Sequence, residues 1–308
     1  MKTIKTLAAV ATLTATSAWA DLAPVISVDE LAELRDSIKV LEIQRTPEDV
    51  AKARIDGAVY LPYGTFRGPK NNPGALPKLT ELAQALGSKG LLADDPIVIV
   101  HAGETSTDFG AAARVYWTLK SVGYDDLSIL NGGYKSYVAA KQPITADAPA
   151  VSPVALELSF NYQWYASTAA IESDSTARLL DSRLDAFYQG KAWHGAAKRP
   201  GILPGADHFA FDAFFDKDSA LLKSADAVRG IVESNGLSVA NTVSYCNTGH
   251  WAATNWFVLS ELAEVDQVKL YAESMVEWSN LDKPMDNVPG ALEFAWLKTR
   301  NFVKGLAN

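Results

Sequence analysis

The chain carries the same order of features twice, and this duplication constrains its fold more than any single segment does. The first copy opens on an apolar stretch ending in an acid and an arginine, Val40-Leu41-Glu42-Ile43-Gln44-Arg45. The second reads Leu179-Leu180-Asp181-Ser182-Arg183. A Gly-Ala turn into a strand follows in each, Ile55-Asp56-Gly57-Ala58-Val59 and Leu203-Pro204-Gly205-Ala206-Asp207. Next come an amphipathic stretch (79–86 and 225–233) and a central apolar strand (96–101 and 242–246). Both central strands run into a loop of small residues and then an apolar helix, over 110–119 and 252–262. Each copy ends in one more short strand and an aromatic close, over 127–134 and 268–275.

Strands alternating with helical stretches predict an α/β fold with parallel sheets. The repeat of roughly 130 residues is far longer than a solenoid period and indicates duplicated domains. Between the copies, Lys141 to Pro153 is rich in Pro, Ala and small polar residues and reads as a linker. The expected organisation is a leader at 1–20, a first domain at 21–142 and a linker at 143–154. A second domain follows at 155–290, each domain able to bury its own core, with a tail at 291–308. The tail places Leu292, Phe294, Trp296 and Leu297 ahead of a basic end and is expected to pack as a helix across a domain.

Residues 1–20 have a basic start (Lys2, Lys5), a short apolar core and a small-x-small site, Ala18-Trp19-Ala20, before Asp21. This pattern is that of a cleaved secretory signal, and the expected location is the periplasm. The apolar stretch is too short to span a bilayer, and no membrane association is expected after cleavage. The formal net charge of −8 argues against a general nucleic-acid surface.

The chain has a single cysteine, Cys246, in the run Tyr245-Cys246-Asn247-Thr248-Gly249-His250-Trp251. No internal disulfide is possible, so in an oxidising compartment the thiol is either buried and inert or put to use. Its place where a strand ends and a helix begins favours use. Free backbone N–H groups and a helix N-terminus favour the thiolate.

The Asp-x-Arg strand, the Pro-Gly-Ala turn, the Cys-x-x-Gly loop-to-helix and the closing run Tyr271 to Trp278 occur in one register. In these features the chain resembles the tandem-domain rhodaneses, a family of sulfurtransferases, over nearly all of its length after the leader. The resemblance implies two rhodanese-like domains, each a mostly parallel sheet flanked by helices, with only the second catalytic. The first copy agrees: its matching loop reads His101-Ala102-Gly103-Glu104-Thr105, without a thiol. The implied reaction is two-step. Cys246 takes sulfane sulfur from a donor such as thiosulfate, and a thiophilic acceptor (cyanide, a thiol or a periplasmic protein) removes it. No cofactor or metal is implied.

In this reading the loop amides curl around the sulfur, Gly249 permits the tight curl, and Asn247 and Thr248 donate hydrogen bonds into or behind the loop. His250 can supply a positive charge, steer an anionic donor or move protons; its alternative is a solvent-facing loop residue. Trp251 either walls the pocket or packs on the helix start. Asp181 and Arg183 match the family's pair, the arginine tying the domain together by ion pairing. Two departures bear on donor choice: the loop carries no basic residue of the kind thiosulfate-specific members show, and a later arginine position is Phe187. Lys191, His194, Lys198 and Arg199 are the candidates to compensate, against a plain surface loop.

Rival chemistries fit less well. A rhodanese-like phosphatase needs a longer loop ending in arginine, and none follows Cys246 closely. A cysteine hydrolase would have to recruit His194 or His208, a disulfide oxidoreductase lacks its second thiol, and the histidines have no metal-ligand spacing. A non-turnover sulfur relay that hands persulfide sulfur to a partner stands as the alternative from another class.

Overall fold

The computed structural model describes residues 22–43 and 45–306. The expected leader at 1–20 lies outside the described residues.

The first half forms β1 (Val25–Ile26), α1 (Val28–Leu34), β2 (Lys39–Glu42), α2 (Pro47–Lys52), β3 (Arg54–Ile55), β4 (Val59–Tyr60) and α3 (Leu79–Ser88). It continues with β5 (Ile97–Val100), α4 (Ser106–Ser121), β6 (Leu127–Leu130), α5 (Gly133–Ala139) and β7 (Ile144–Thr145). The second half forms α6 (Thr168–Ser173), β8 (Arg178–Asp181), α7 (Asp185–Tyr188), β9 (Asp207–His208), α8 (Ala225–Ser234) and β10 (Thr242–Tyr245). There follow α9 (Trp251–Phe257), β11 (Lys269–Leu270), α10 (Ser274–Asn280) and α11 (Ala291–Leu306).

One sheet has the order β1-β6-β5-β2-β4 and the other β11-β10-β8-β9, and every pairing within both is parallel. Removing β1 leaves the same order in both, so β5 and β10 hold equivalent central positions. Their residues are buried throughout, because helices cover both faces of a parallel sheet. The isolated parallel bridge Tyr165–Leu270 takes the place of β1 at the edge of the second sheet.

The two halves share a core instead of burying two separate ones. Helix α4 packs along α9, and one hydrophobic cluster runs from Leu41 and Phe66 through Phe109, Tyr116 and Trp117 to Trp256, Phe257 and Leu270. Edge-to-face contacts of Phe109 and Tyr116 with Phe257, at 5.6 and 5.0 Å between centroids, cross the junction. So does the Lys120–Glu261 ion pair at 2.7 Å. Helix α4 can do this because it is buried on nearly every side, its small run Gly110–Ala113 allowing close approach. The outer faces of the two sheets carry smaller clusters of their own.

The expected linker is anchored at both ends. Ile144 and Thr145 pair antiparallel with β3, and the Val154 amide donates to the Gly87 carbonyl at 2.9 Å. The tail forms α11, where Leu297 is buried and Phe294 meets Trp193 edge-on at 5.4 Å, while Leu292 and Trp296 stay exposed. Past α9 the helix continues as one π-turn over Val258–Leu262.

Candidate active site

Cys246 follows the last residue of β10, in the crevice beyond the carboxyl ends of the parallel strands, the usual place for a site in an open α/β sheet. It is 1% exposed. The loop after it is held from three directions, two of them within the second half.

From β8, Arg183 grips Asp181 with two donors: Nη2 to Oδ2 at 2.6 Å and Nε to Oδ1 at 2.8 Å. Both residues are buried. Burial pulls the Arg183 pKa down, yet attraction and hydrogen bonding to Asp181 carry it above its ordinary value. Its remaining donors reach the Gly201 carbonyl at 2.9 Å and the Asn247 side-chain oxygen at 3.3 Å. Asn247 therefore accepts through its side chain, where the sequence had suggested that it donates. With its charge already matched by Asp181, Arg183 uses Nη1 to hold the loop through the Asn247 side-chain oxygen.

The start of α10 supplies the second support. Ser274 Oγ accepts from the amides of Cys246 and Gly249, both at 3.1 Å, and donates to the Tyr271 carbonyl at 2.7 Å. Ser274 and Gly249 both have positive φ, at 54° and 64°. At Gly249 a Cβ would fall 2.4 Å from the Ala272 carbonyl oxygen and 2.4 Å from Arg114 Nη1, so the tight curl requires glycine. Two of the amides expected around the sulfur are thus tied to Ser274. Those of Asn247, Thr248 and His250 have no partner among the described residues.

The third support comes from the first half of the chain. Arg67 Nη2 donates to the Thr248 carbonyl at 3.0 Å. His250 is clamped between Tyr63, whose hydroxyl lies 2.8 Å from Nδ1, and the Thr107 carbonyl, 2.8 Å from Nε2. A carbonyl only accepts, so Nε2 carries the proton and Nδ1 accepts from Tyr63. Burial, with Arg67 and Arg114 adding repulsion, lowers the His250 pKa to about 3. His250 is thus a neutral strut between the halves and neither a cationic donor-steering group nor a solvent-facing residue. Trp251 stacks on Phe211 at 5.0 Å, meets Phe187 edge-on at 5.5 Å, and donates its indole N–H to Thr107 Oγ1 at 3.3 Å. It packs at the helix start and across the junction.

Of the proposed basic cluster, three members have partners within the second half, and Nε of the fourth, Arg199, is buried without one among the described residues. Lys198 pairs with Asp282, Lys191 bonds Gln189, and His194 Nδ1 accepts from the Ala196 amide. Burial and the charge of Arg67 hold His194 below its ordinary pKa. The cations that do flank the Cys246 loop are Arg183, Arg67 and Arg114, the last two from the other half. One local signal for Arg114 exists in the sequence: it is a charge inside the otherwise small and apolar run 109–117. Among the described residues, no group of three or more His, Cys, Asp or Glu side chains could hold a metal ion.

A model of the rhodanese-like domain matches residues 27–140, the half without the thiol. A thiosulfate sulfurtransferase of Pseudomonas aeruginosa is 28% identical over 270 residues, covering 86% of this chain and 97% of the relative. The chain is similar to rhodanese-type sulfurtransferases, and its first half matches the rhodanese-like domain. The sulfur carrier protein TtuD of Thermus thermophilus is also similar, at 28% identity over 55% of this chain and 64% of that protein. Among solved structures, wild-type EanB superposes with a TM-score of 0.74 at 18% identity, over 85% of this chain and 69% of that one. That likeness shows the fold of the two sheets.

Proposed function

We propose that this protein is a persulfide enzyme: Cys246 takes the sulfane sulfur of a donor such as thiosulfate and passes it to a thiophilic acceptor. The observation that carries this reading is a lone thiol at the end of β10, beside the amides of Asn247, Thr248 and His250, which no side chain caps among the described residues. Unpaired N–H groups around a small concavity stabilise negative charge on a thiolate and on the persulfide that replaces it.

The Cys246 thiolate attacks the outer sulfur of thiosulfate. A new S–S bond forms as the old one breaks, and sulfite departs with the electron pair. The acceptor, cyanide for example, then attacks the terminal sulfur; the C–S bond forms, the enzyme's S–S bond breaks, and the thiolate returns. Charge balances in both steps without a proton, oxidant or reductant. A second thiol nearby would divert the persulfide to a disulfide, which fits the use of a single cysteine.

Thiocyanate formation from thiosulfate and cyanide tests this reading. Wild type should turn over, and Cys246→Ser should fall to the uncatalysed rate; turnover retained in Cys246→Ser would sink it. The deep burial of the thiol favours a second reading, a carrier whose acceptor is a protein able to part the two halves. A single charge of one sulfur without steady-state turnover would select that reading. The leader-like residues 1–20 support a periplasmic site of action for either, and fractionation of cells making the full chain checks it.

A further inference from the structure

Arg114 is the most exposed problem in the electrostatics of the interior, because it is itself not exposed at all. It sits in the middle of α4, 0% accessible. Its Nη2 donates to the Gly74 carbonyl at 2.9 Å, with the Ala75 carbonyl at 3.4 Å, while Nε and Nη1 have no partner among the described residues. A buried guanidinium with orphaned donors is expensive unless an anion lies within its field. Burial lowers its pKa only to about 10, so it stays charged at neutral pH.

Three acidic groups lie in its field; burial raises the Tyr63 pKa and keeps that phenol neutral, which leaves two that can be anionic. One is Cys246, on the loop whose Gly249 lies against Nη1. The other is Glu273, immediately before Ser274, the residue that fastens that loop. Glu273 is buried; its Oε1 accepts from Tyr165 at 3.1 Å and its Oε2 has no partner among the described residues. Gly74 joins the two sides: its carbonyl takes the Arg114 bond, and a Cβ there would come within 2.7 Å of the Glu273 Cα. Burial, with Glu277 adding repulsion, raises the Glu273 pKa to about 7. Its carboxyl is thus half-ionised in the range where the thiol must work.

We propose that Arg114, contributed by the thiol-free half, is the cation that stabilises negative charge on Cys246 and on its persulfide, and that Glu273 competes with the sulfur for it. This rests on the persulfide reading of Cys246. It gives the first half a positioning role in the chemistry beyond packing. The remaining charged or titratable groups around the thiol are Arg183 with Asp181 and Tyr245 behind it, and Tyr63, His250 and Arg67 on the facing side. Asp181 neutralises Arg183, and His250 is uncharged. Arg67 spends Nη2 on the Thr248 carbonyl and has Nε buried without a partner among the described residues, whereas Arg114 has both Nε and Nη1 unpaired, with Nη1 against Gly249 of the thiol loop.

The test is a titration of thiolate ultraviolet absorbance in the full chain, with Cys246→Ser as the blank; a single cysteine makes the signal unambiguous and independent of access to the crevice. Arg114→Met should raise the thiol midpoint by about one pH unit or more, the size expected for losing a nearby opposite charge. Arg114→Lys should restore most of that shift, and Glu273→Gln should move the midpoint down. Should Arg114→Met fail to fold, the double variant Arg114→Met/Glu273→Gln removes both partners, which buried pairs tolerate better than the loss of one, and it should titrate high. Unchanged midpoints, or shifts of one sign in Arg114→Met and Glu273→Gln, would overturn the proposal. A Cys246 that never accepts sulfur would overturn the persulfide reading while leaving these titrations intact.

Discussion

The two loops that follow the central strands, 101–105 after β5 and 246–250 after β10, differ more in their hydrogen bonding than in their frame. In the first, Asp108 Oδ2 accepts from the amides of Glu104 and Thr105 at 2.7 and 3.1 Å. A built-in carboxylate already sits where the loop donors point. In the second no side chain caps α9 and no acid lies in its first turn; Ser274 Oγ takes the Cys246 and Gly249 amides, and those of Asn247, Thr248 and His250 are left for an anion that is not part of the chain. The residue at the strand end differs correspondingly: His101, fully buried with both ring nitrogens free of side-chain partners, against Cys246. One fold thus yields a loop with a built-in carboxylate on its donors and an open loop held by a neutral hydroxyl. The open loop is a local weakness retained where charge has to develop during the reaction.

The largest expected difference lies in the acid–arginine pairs that support the loops. Arg183 is fully buried with a bidentate partner, whereas Arg45 meets Glu42 through one contact at 3.2 Å and is partly exposed. Arg183→Met leaves Asp181 buried and unpaired and should cost about 3–5 kcal/mol of unfolding free energy. Arg45→Met should cost less, about 1–3 kcal/mol, because the buried Glu42 loses its single arginine contact but keeps the Ile55 amide as a donor. Denaturant midpoints measured side by side check this; equal losses would mean that the two pairs do the same work.

Uncapping the first loop should have a smaller effect. Asp108→Ala should destabilise by about 1 kcal/mol, the usual loss of a helix cap, and leave sulfur transfer untouched. A loss of transfer in that variant would couple the first loop to the chemistry.

At neutral pH the smallest effect is one the two loops share, and it grows on acidification. Burial lowers both His101 and His250 to about 3, so each stays neutral in the folded state while an unfolded histidine takes its proton near 6.5. Below 6.5 the unfolded chain binds more protons, and stability should fall as pH drops through the window from 6.5 toward 3. Glu273 acts in the opposite direction: it holds its proton to about 7 when folded, against 4.5 unfolded, so its contribution is lost as pH rises through that interval. His101→Phe should flatten the acid limb of a stability–pH curve without altering transfer; an unchanged limb would show that His101 is not held neutral.

Much of the frame was legible in the sequence because it is local. The duplicated order of strands, the Asp181-Ser182-Arg183 pair, the loop after Cys246 and the glycine at 249 are all set within a few residues of one another. What was not legible depends on how α4 meets α9. Tyr63, Arg67 and Arg114 reach the thiol loop from more than a hundred residues away, and nothing in local periodicity reports that docking. The same contact reversed the reading of His250: a loop histidine is an obvious candidate for a charge until Tyr63 and the Thr107 carbonyl close on both its nitrogens. The anchoring of the linker was not legible for a related reason. Its composition suits a flexible segment, yet Ile144 and Val154 find backbone partners on β3 and α3.

The most direct test of the account compares the two loops as sulfur acceptors by intact mass and peptide mapping after treatment with thiosulfate. Wild type should gain one sulfur atom, on the peptide containing Cys246. His101→Cys in a Cys246→Ser background should gain none, because its loop amides are held by Asp108. Sulfur absent from Cys246, or carried equally well at position 101, would contradict the claim that the open loop is what makes the thiol a carrier.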